Sequence, residues 1–177
     1  MLYTAYIGLG SNLESSAGTP AETVMAAIRA LGELGTVTAS SSLYRTSPVG
    51  FREQPDFINA VARIETSLQP RPLLHTLLAI ERRFGRERQL GVPKGPRTLD
   101  LDLLLMFKAK GEPLSAKVPG LVLPHPEMAG RRFVLEPLAE VAPDLLHPTL
   151  GKTVRELLAD LVALGANTGE EVLRIQA

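Results

Sequence analysis

The sequence predicts an α+β fold: a ferredoxin-like βαββαβ core, with a mostly antiparallel four-stranded sheet, helices on one face, and a C-terminal extension carrying one further helix. Three observations carry this. Four segments show strand-type alternation or β-branched enrichment, at residues 2–10, 36–45, 56–66 and 99–105. Two intervening segments switch to helical spacing, at 19–34 and 70–84. With 177 residues, 45% of them hydrophobic, the chain is long enough for one domain over 1–177 with a real core.

Each element has a local reason. Leu2 to Gly10 is apolar, aromatic and β-branched and ends in glycines, a buried strand. Gly8-Leu9-Gly10-Ser11-Asn12 is a tight turn leaving that strand rather than a dinucleotide fingerprint, because the third glycine position holds Leu13. Thr19-Pro20-Ala21-Glu22 is a capping box with proline at the first helical position. Val24, Ala27, Ile28, Leu31 and Leu34 follow at helical spacing, and Gly35 closes the helix. Thr36 to Arg45 is one strand by propensity, and Ser47 to Pro55 is a Pro/Gly loop, a plain connector or a lid.

In the strand Asp56 to Thr66, Ile58, Ala60, Ala62 and Ile64 form the apolar face, and Phe57, Asn59, Val61, Arg63 and Glu65 the other. Phe57 and Asn59 suit a flat heterocycle, by stacking and an edge hydrogen bond; Phe57 equally suits a second core layer. The helix 70–84 buries Leu73, Leu74, Leu77, Leu78 and Phe84, with His75 and Glu81 on a solvated side. Six of the chain's 19 basic residues (Arg82, Arg83, Arg86, Arg88, Lys94 and Arg97) then fall in 16 positions, mixed with Gly85, Gly91, Pro93, Gly95 and Pro96. A solvated helix end accounts for Arg82 and Arg83; an arginine-rich loop holding a polyphosphate accounts better for Arg86, Arg88 and Arg97.

That loop feeds the strand Leu99 to Leu105, with Leu99, Leu101, Leu103 and Leu105 on one face and Asp100 and Asp102 on the other. The two carboxylates stand roughly 6.6 Å apart along the chain and point the same way. Either the face is solvated, or a divalent cation joins the pair; magnesium suits one or two carboxylates completed by substrate phosphates. The βαββαβ order puts Phe57, Asn59, Asp100 and Asp102 on the sheet face away from the two helices.

Beyond the core, Lys108 to Gly120 is a polar excursion and Leu121 to Pro126 a short extended segment. His125, between two prolines, makes a phosphate contact or a turn hydrogen bond. Arg131, Arg132 and Phe133 follow Gly130, Glu136 to Leu150 is a proline-punctuated connection, Thr153 to Leu164 an amphipathic helix, and Val172 to Ile175 a short strand in the tail.

Composition narrows the function. Lys+Arg and Asp+Glu both total 19, so no net charge draws the chain to nucleic acid or membrane. The absence of cysteine excludes disulfides, thiolate metal sites and cysteine nucleophiles, and three histidines without an HExxH pattern argue against a zinc hydrolase. No apolar run approaches the length of a membrane span and the first residues lack a basic leader pattern, so a cytoplasmic protein is expected.

Several segments together resemble one family: Ala5 to Leu13, Ser42 to Thr46, Gln54 to Ala60, Gly95 to Leu105, Pro124-His125-Pro126 and Arg132 to Leu138 are similar to the 6-hydroxymethyl-7,8-dihydropterin pyrophosphokinases of folate biosynthesis. The resemblance runs in order to about Pro148 and is most specific at Gly-Pro-Arg-Thr-Leu-Asp-Leu-Asp. It implies transfer of a diphosphate from ATP to the pterin hydroxymethyl group, releasing AMP. It further implies that Asp100 and Asp102 ligate two magnesium ions, and that Phe57 and Phe133 sandwich the pterin. Asn59 and the backbone of Thr46, Ser47 and Val49 would read the pterin's edges. Arg86, Arg88, Arg97, His125 and Arg131 would hold the triphosphate, with Arg86 and Arg97 counted as catalytic beside the aspartates, and Glu81 matches an acidic position on the ATP side. The loops 47–54 and 85–95 would be lids. Pro93 and Lys94 depart from the family's basic-then-aromatic pattern before Gly-Pro-Arg, and Gly120 and Val122 stand where polar nucleotide contacts are found. The partners implied are the two small molecules, for a monomer with no nucleic acid and no membrane.

Two other classes use parts of the same pattern. A magnesium-dependent phosphoesterase or nuclease would use the aspartate pair without a pterin. A nucleic-acid-binding ferredoxin-like module needs aromatics on a basic sheet, whereas this chain is 5% aromatic and carries two acids there.

Overall fold

In the computed structural model, which describes residues 1–88, 94–165 and 170–175, strand β1 (Tyr3–Ser11) lies between β5 (Asp100–Lys108) and β4 (Phe57–Thr66), antiparallel to both. β2 (Thr36–Ser40) and β3 (Leu43–Thr46) share the far side of β4. The expected ferredoxin-like order is therefore present. The single strand expected over 36–45 is divided, because Ser41 exchanges bonds with Val61: its N–H donates to the Val61 carbonyl at 2.8 Å and its hydroxyl accepts from the Val61 N–H at 2.9 Å. The tail strand Val172–Ile175 pairs with β3, so the sheet has six strands rather than four.

Helix α1 (Pro20–Ala30) begins in the expected capping box, with Thr19 and Glu22 satisfying each other's backbone N–H groups. Such a cap contributes about 1 kcal/mol. Helix α2 (Pro70–Arg83) lies beside α1 on the face built from Ala5, Ile7, Leu9, Ile58, Ala60, Ala62, Ile64, Leu101 and Leu103.

Two expectations are corrected here. Leu105 does not continue the Leu99–Leu101–Leu103 face. The β1–β5 register shifts between Tyr6, opposite Leu105, and Ile7, opposite Leu103. One extra residue, Leu104, is accommodated, and a bulge of this kind inverts the faces beyond it. Leu105 and Phe107 thus join the second core with Tyr6, while Met106 joins the first.

Helices also cover both faces rather than one. α3 (Arg132–Val141) and α4 (Val154–Leu164) pack on the second face through Val134, Leu135, Leu138, Val154 and Leu157. The stretch expected to be a connection from Glu136 is helical to Val141. Pro137 withholds one helix hydrogen bond, but burial of Val134, Leu135 and Leu138 on either side of it keeps the helix. Ala116–Val118 and Leu121–Leu123 form a small hairpin turning at Gly120, whose φ of 79° suits glycine. No helix among the described residues is long and apolar enough to cross a membrane.

The second sheet face is consequently shared. Val61, Leu104 and Phe107 lie under α3 and α4. At the other end, the residues toward the C-terminus of β1 and the starts of β4 and β5 face the beginning of α3 across a cleft.

Candidate active site

Gly8 and Gly10 of β1, Phe57 and Asn59 of β4, and Asp100 and Asp102 of β5 floor a cleft. Its walls are Thr46, Ser47 and Val49 from the end of β3, Lys94 and Arg97 from the approach to β5, and Arg131, Phe133 and Val134 from the start of α3. Period-two alternation explains the floor: Gly10 pairs with Asn59 on one side and Asp100 on the other, and Gly8 with Asp102. The glycines keep it open. A Cβ at Gly10 would stand 2.7 Å from the Asn59 Oδ1. The Asn59 amide is fixed in turn by donating to Thr46 Oγ1 at 2.6 Å, leaving a buried amide edge beside the Phe57 ring.

Both expected aromatics line this cleft, and each ring carries a guanidinium on its face. Arg97 Cζ lies 4.7 Å from the Phe57 centroid and Arg131 Cζ 5.5 Å from that of Phe133. Both rings thus already engage a planar cationic group by cation–π attraction.

Asp102 borders a second cleft, formed by Leu74, Leu78, Arg88, Leu101, Leu103, Gly120, Leu121, Val122, His125 and Pro126. Asp102 thus stands where the aromatic cleft meets a second one that carries Arg88 and His125. Burial, reinforced by the charge of Asp100, raises the Asp102 carboxyl to about 7. Asp100 gathers the arginines: Arg86 at 3.4 Å, Arg88 at 3.5 Å and Arg97 at 3.7 Å. Arg97 keeps unspent capacity. Its Nε is buried without a hydrogen-bond partner, and burial, ahead of the attraction of Asp100, weakens its hold on its proton. A buried orphan donor of this kind suits an anionic oxygen.

His125 lies in the second cleft with its backbone N–H on the Leu104 carbonyl at 2.9 Å. Its Nδ1 accepts from the Glu127 N–H at 3.2 Å, which leaves Nε2 to carry the ring proton. Burial, then the neighbouring Arg131, holds it below the usual histidine value, so it is a neutral donor at physiological pH. The turn hydrogen bond expected of His125 is thus made by one ring nitrogen.

Glu81 is not on a solvated side. It is 1% exposed and lies beneath β5, where it accepts from both Arg88 Nε and Nη2 at 2.8 Å and from the Leu101 N–H at 2.7 Å. Burial raises it, and the Arg88 bond opposes that shift. Its position fixes Arg88 and the backbone between the two aspartates rather than reaching either cleft. Arg86 donates to the Leu99 carbonyl at 2.8 Å as well as approaching Asp100. Arg82 is exposed and Arg83 pairs with Glu33 at the surface, as expected of a helix end.

One contributor was passed over as a turn residue. Asn12, 3% exposed, donates to Gln54 Oε1 and to the Pro55 carbonyl, both at 2.9 Å, and accepts from the Arg97 N–H at 2.9 Å. Gln54 in turn donates to the Lys94 carbonyl at 2.8 Å. Asn12 thereby joins the two loops flanking the aromatic cleft. A buried asparagine after a glycine turn was the available signal, but its partners lie 42 to 85 residues away. Of the segment expected to form the second lid, Gly91 and Pro93 lie outside the described residues.

Residues 6–143 match the family model for 7,8-dihydro-6-hydroxymethylpterin-pyrophosphokinase, HPPK. The chain is 45% identical over 161 residues to the 2-amino-4-hydroxy-6-hydroxymethyldihydropteridine pyrophosphokinase of Pseudomonas aeruginosa, covering 90% of this chain and 92% of the relative. It is 44% identical over 149 residues to the enzyme of that name from Haemophilus influenzae, covering 83% and 86%. Among solved structures, the Plasmodium falciparum HPPK-DHPS S436F/A437G/A613S triple mutant superposes with a TM-score of 0.71 at 16% identity, covering 95% of this chain. That likeness is one of fold, and this chain spans 46% of the longer one.

Proposed function

As a member of the 7,8-dihydro-6-hydroxymethylpterin-pyrophosphokinase family, the chain transfers pyrophosphoryl from ATP to hydroxymethyldihydropterin in folate biosynthesis, and we propose that it does so across the Asp100–Asp102 pair, with the pterin between the aromatic rings and the triphosphate running from Arg97 and Arg131 at the border of that cleft into the adjoining one, which carries Arg88 and His125. The observation that carries this arrangement is the shared border: Asp102 lines both clefts.

In this reading Phe57 and Phe133 take the two faces of the pterin, each stacking contact contributing about 1–3 kcal/mol. Asn59 and the backbone at Thr46, Ser47 and Val49 read its edges. Arg86, Arg88, Arg97 and Arg131 with His125 hold the triphosphate. The orphan Arg97 Nε and the His125 Nε2 supply donors that phosphate oxygens would satisfy. Glu81 serves the ATP side indirectly, through Arg88 and the Leu101 N–H.

The residues fit magnesium. Among the described residues no group of three or more His, Asp or Glu side chains gathers to hold an ion. Two same-face carboxylates beside a phosphate site suit a cation that takes its remaining ligands from nucleotide and water. We assign two magnesium ions to Asp100 and Asp102; when bound, they supply Lewis-acid polarisation of phosphoryl oxygens and neutralise developing charge. The chain's own part is positioning. The aromatic walls hold the pterin hydroxymethyl group facing the β-phosphorus, and the arginines orient the triphosphate for in-line departure of AMP. Positioning of this kind supplies most of the rate in phosphoryl-type transfer. The protein works as a single catalytic domain over residues 1–177, in the cytoplasm, as a monomer with small-molecule partners and no nucleic acid.

The test is the nucleotide product. Incubated with MgATP and 6-hydroxymethyl-7,8-dihydropterin, the protein yields AMP and pterin diphosphate in equal amounts. ADP, or phosphate released without pterin as a phosphoesterase would release it, overturns the assignment.

A further inference from the structure

The pterin walls come from two elements that hydrophobic packing alone does not lock together. Phe133 sits at the start of α3, whose apolar side chains Val134, Leu135 and Leu138 hold it against the sheet. Apolar burial fixes which face of the helix is buried but, being non-directional, tolerates small rotations and shifts of it. Hydrogen bonds are directional and do not.

The bonds that fix this helix lie two turns beyond Phe133. Glu140 is seven residues on and shares its face. One carboxylate oxygen accepts from the Tyr44 hydroxyl at 2.6 Å; the other accepts from the Ser42 N–H at 3.0 Å and the Ser42 hydroxyl at 2.8 Å. Arg174 of the tail strand approaches the same carboxylate at 3.5 Å. Tyr44 is 6% exposed and stands two residues before Thr46 on the same face of β3, directly opposite Asn59 on β4. The carboxylate therefore joins the helix bearing one pterin wall to the strand leading into the pterin-edge segment. Its protonation supports a permanent joint. Burial would raise Glu140, but the Tyr44 and Ser42 bonds outweigh it and bring the carboxyl below its usual value. Burial and Glu140 both raise Tyr44, which stays a donor at any working pH.

We propose that Glu140 is a positioning residue for pterin binding: gripped by Tyr44 and Ser42, it fixes the rotation of α3 and thereby the gap between the Phe133 and Phe57 rings. The proposal rests on the reading of the aromatic cleft as the pterin site. Neither Glu140 nor Tyr44 lines either cleft, so neither touches the substrates.

The experiment compares the wild type with Glu140→Gln, Tyr44→Phe and the double variant. Both changes keep side-chain volume and the buried ring. Val24→Ala, in α1 on the opposite sheet face, is the control for loss of stability alone. Measured are the KM for pterin and for MgATP, kcat, the melting temperature, and the equilibrium Kd for pterin with a non-hydrolysable ATP analogue. A lost charge-assisted bond corresponds to about a tenfold rise in pterin KM and Kd, with the MgATP KM and kcat changing by less than about threefold. The double variant is no worse than the stronger single one, because both break one joint. Val24→Ala lowers the melting temperature without moving the pterin KM. If Glu140→Gln and Tyr44→Phe likewise lose only stability, the clamp is wrong while the functional reading stands. A wild type that forms no AMP overturns the functional reading, and the clamp with it.

Discussion

Asp102→Asn separates what the aspartate costs the ligand-free protein from what it contributes to turnover. Burial and the neighbouring Asp100 raise its carboxyl from 3.8 to about 7. The folded chain therefore holds this proton more tightly than the unfolded chain does, and stability is lost as pH rises from near 4 toward 7, then levels off. Above that window the penalty approaches about 4 kcal/mol, at about 1.4 kcal/mol for each tenfold in the protonation constant. The amide is neutral throughout but must itself find partners, which takes back about 1–3 kcal/mol. At about pH 8 and without magnesium, the variant is expected to be more stable than wild type by about 1–3 kcal/mol, or about 3–10 °C in melting temperature for a chain of this size. The advantage shrinks by about 3 kcal/mol at about pH 5, where the wild-type carboxyl is protonated in the fold. MgATP then reverses the ranking, because ligand binding stabilises only the protein that holds it. Turnover falls at least about a hundredfold. Calorimetry at both pH values, with and without MgATP, decides the matter. A variant less stable than wild type at pH 8, or an advantage that does not change with pH, refutes the account of Asp102 as a carboxylate held uncomfortably between burial and Asp100.

Three further outcomes follow from named contacts. Gly10→Ala brings a Cβ to 2.7 Å from the Asn59 Oδ1, so Asn59 must shift; the pterin KM rises by about tenfold in steady-state kinetics while the MgATP KM holds. Asn12→Ala removes three part-buried hydrogen bonds joining the two loops; denaturant unfolding shows a loss of about 1–3 kcal/mol, and Asn12→Asp, which keeps the acceptor but loses the donors, restores only part of it. Glu81→Ala strands the buried Leu101 N–H and frees the half-exposed Arg88; it costs about 1–3 kcal/mol by the same assay, and ATP affinity falls more than pterin affinity by calorimetric titration.

Local pattern was enough for much of this. The capping box at Thr19 and Glu22, the two helices and the alternation of β1, β4 and the start of β5 are set by neighbours within a turn or a pleat. The same alternation put Asp100 and Asp102 on the face of Phe57 and Asn59, so half of the site was legible before any coordinate. Glu81 was misjudged because a carboxylate in an amphipathic helix ordinarily faces water. Only the approach of β5 supplies the Leu101 N–H, and only the loop beyond α2 supplies the Arg88 guanidinium. The proline-punctuated connection expected from Glu136 begins instead as helix, because the missing N–H of Pro137 is a local cost whereas the burial that outweighs it is tertiary.

By itself the sequence determined the order of elements, the metal-type aspartate pair, the basic stretch before it and the aromatic and amide opposite, because period and charge are written residue by residue. The tertiary structure alone decided the bulge at Leu104 that turns Leu105 to the second core, the packing of α3 over that face, and the joints at Asn12, Glu81 and Glu140. Each of those depends on hydrogen bonds or packing between residues as far as 98 positions apart, and no local pattern encodes which distant group will arrive at bonding distance.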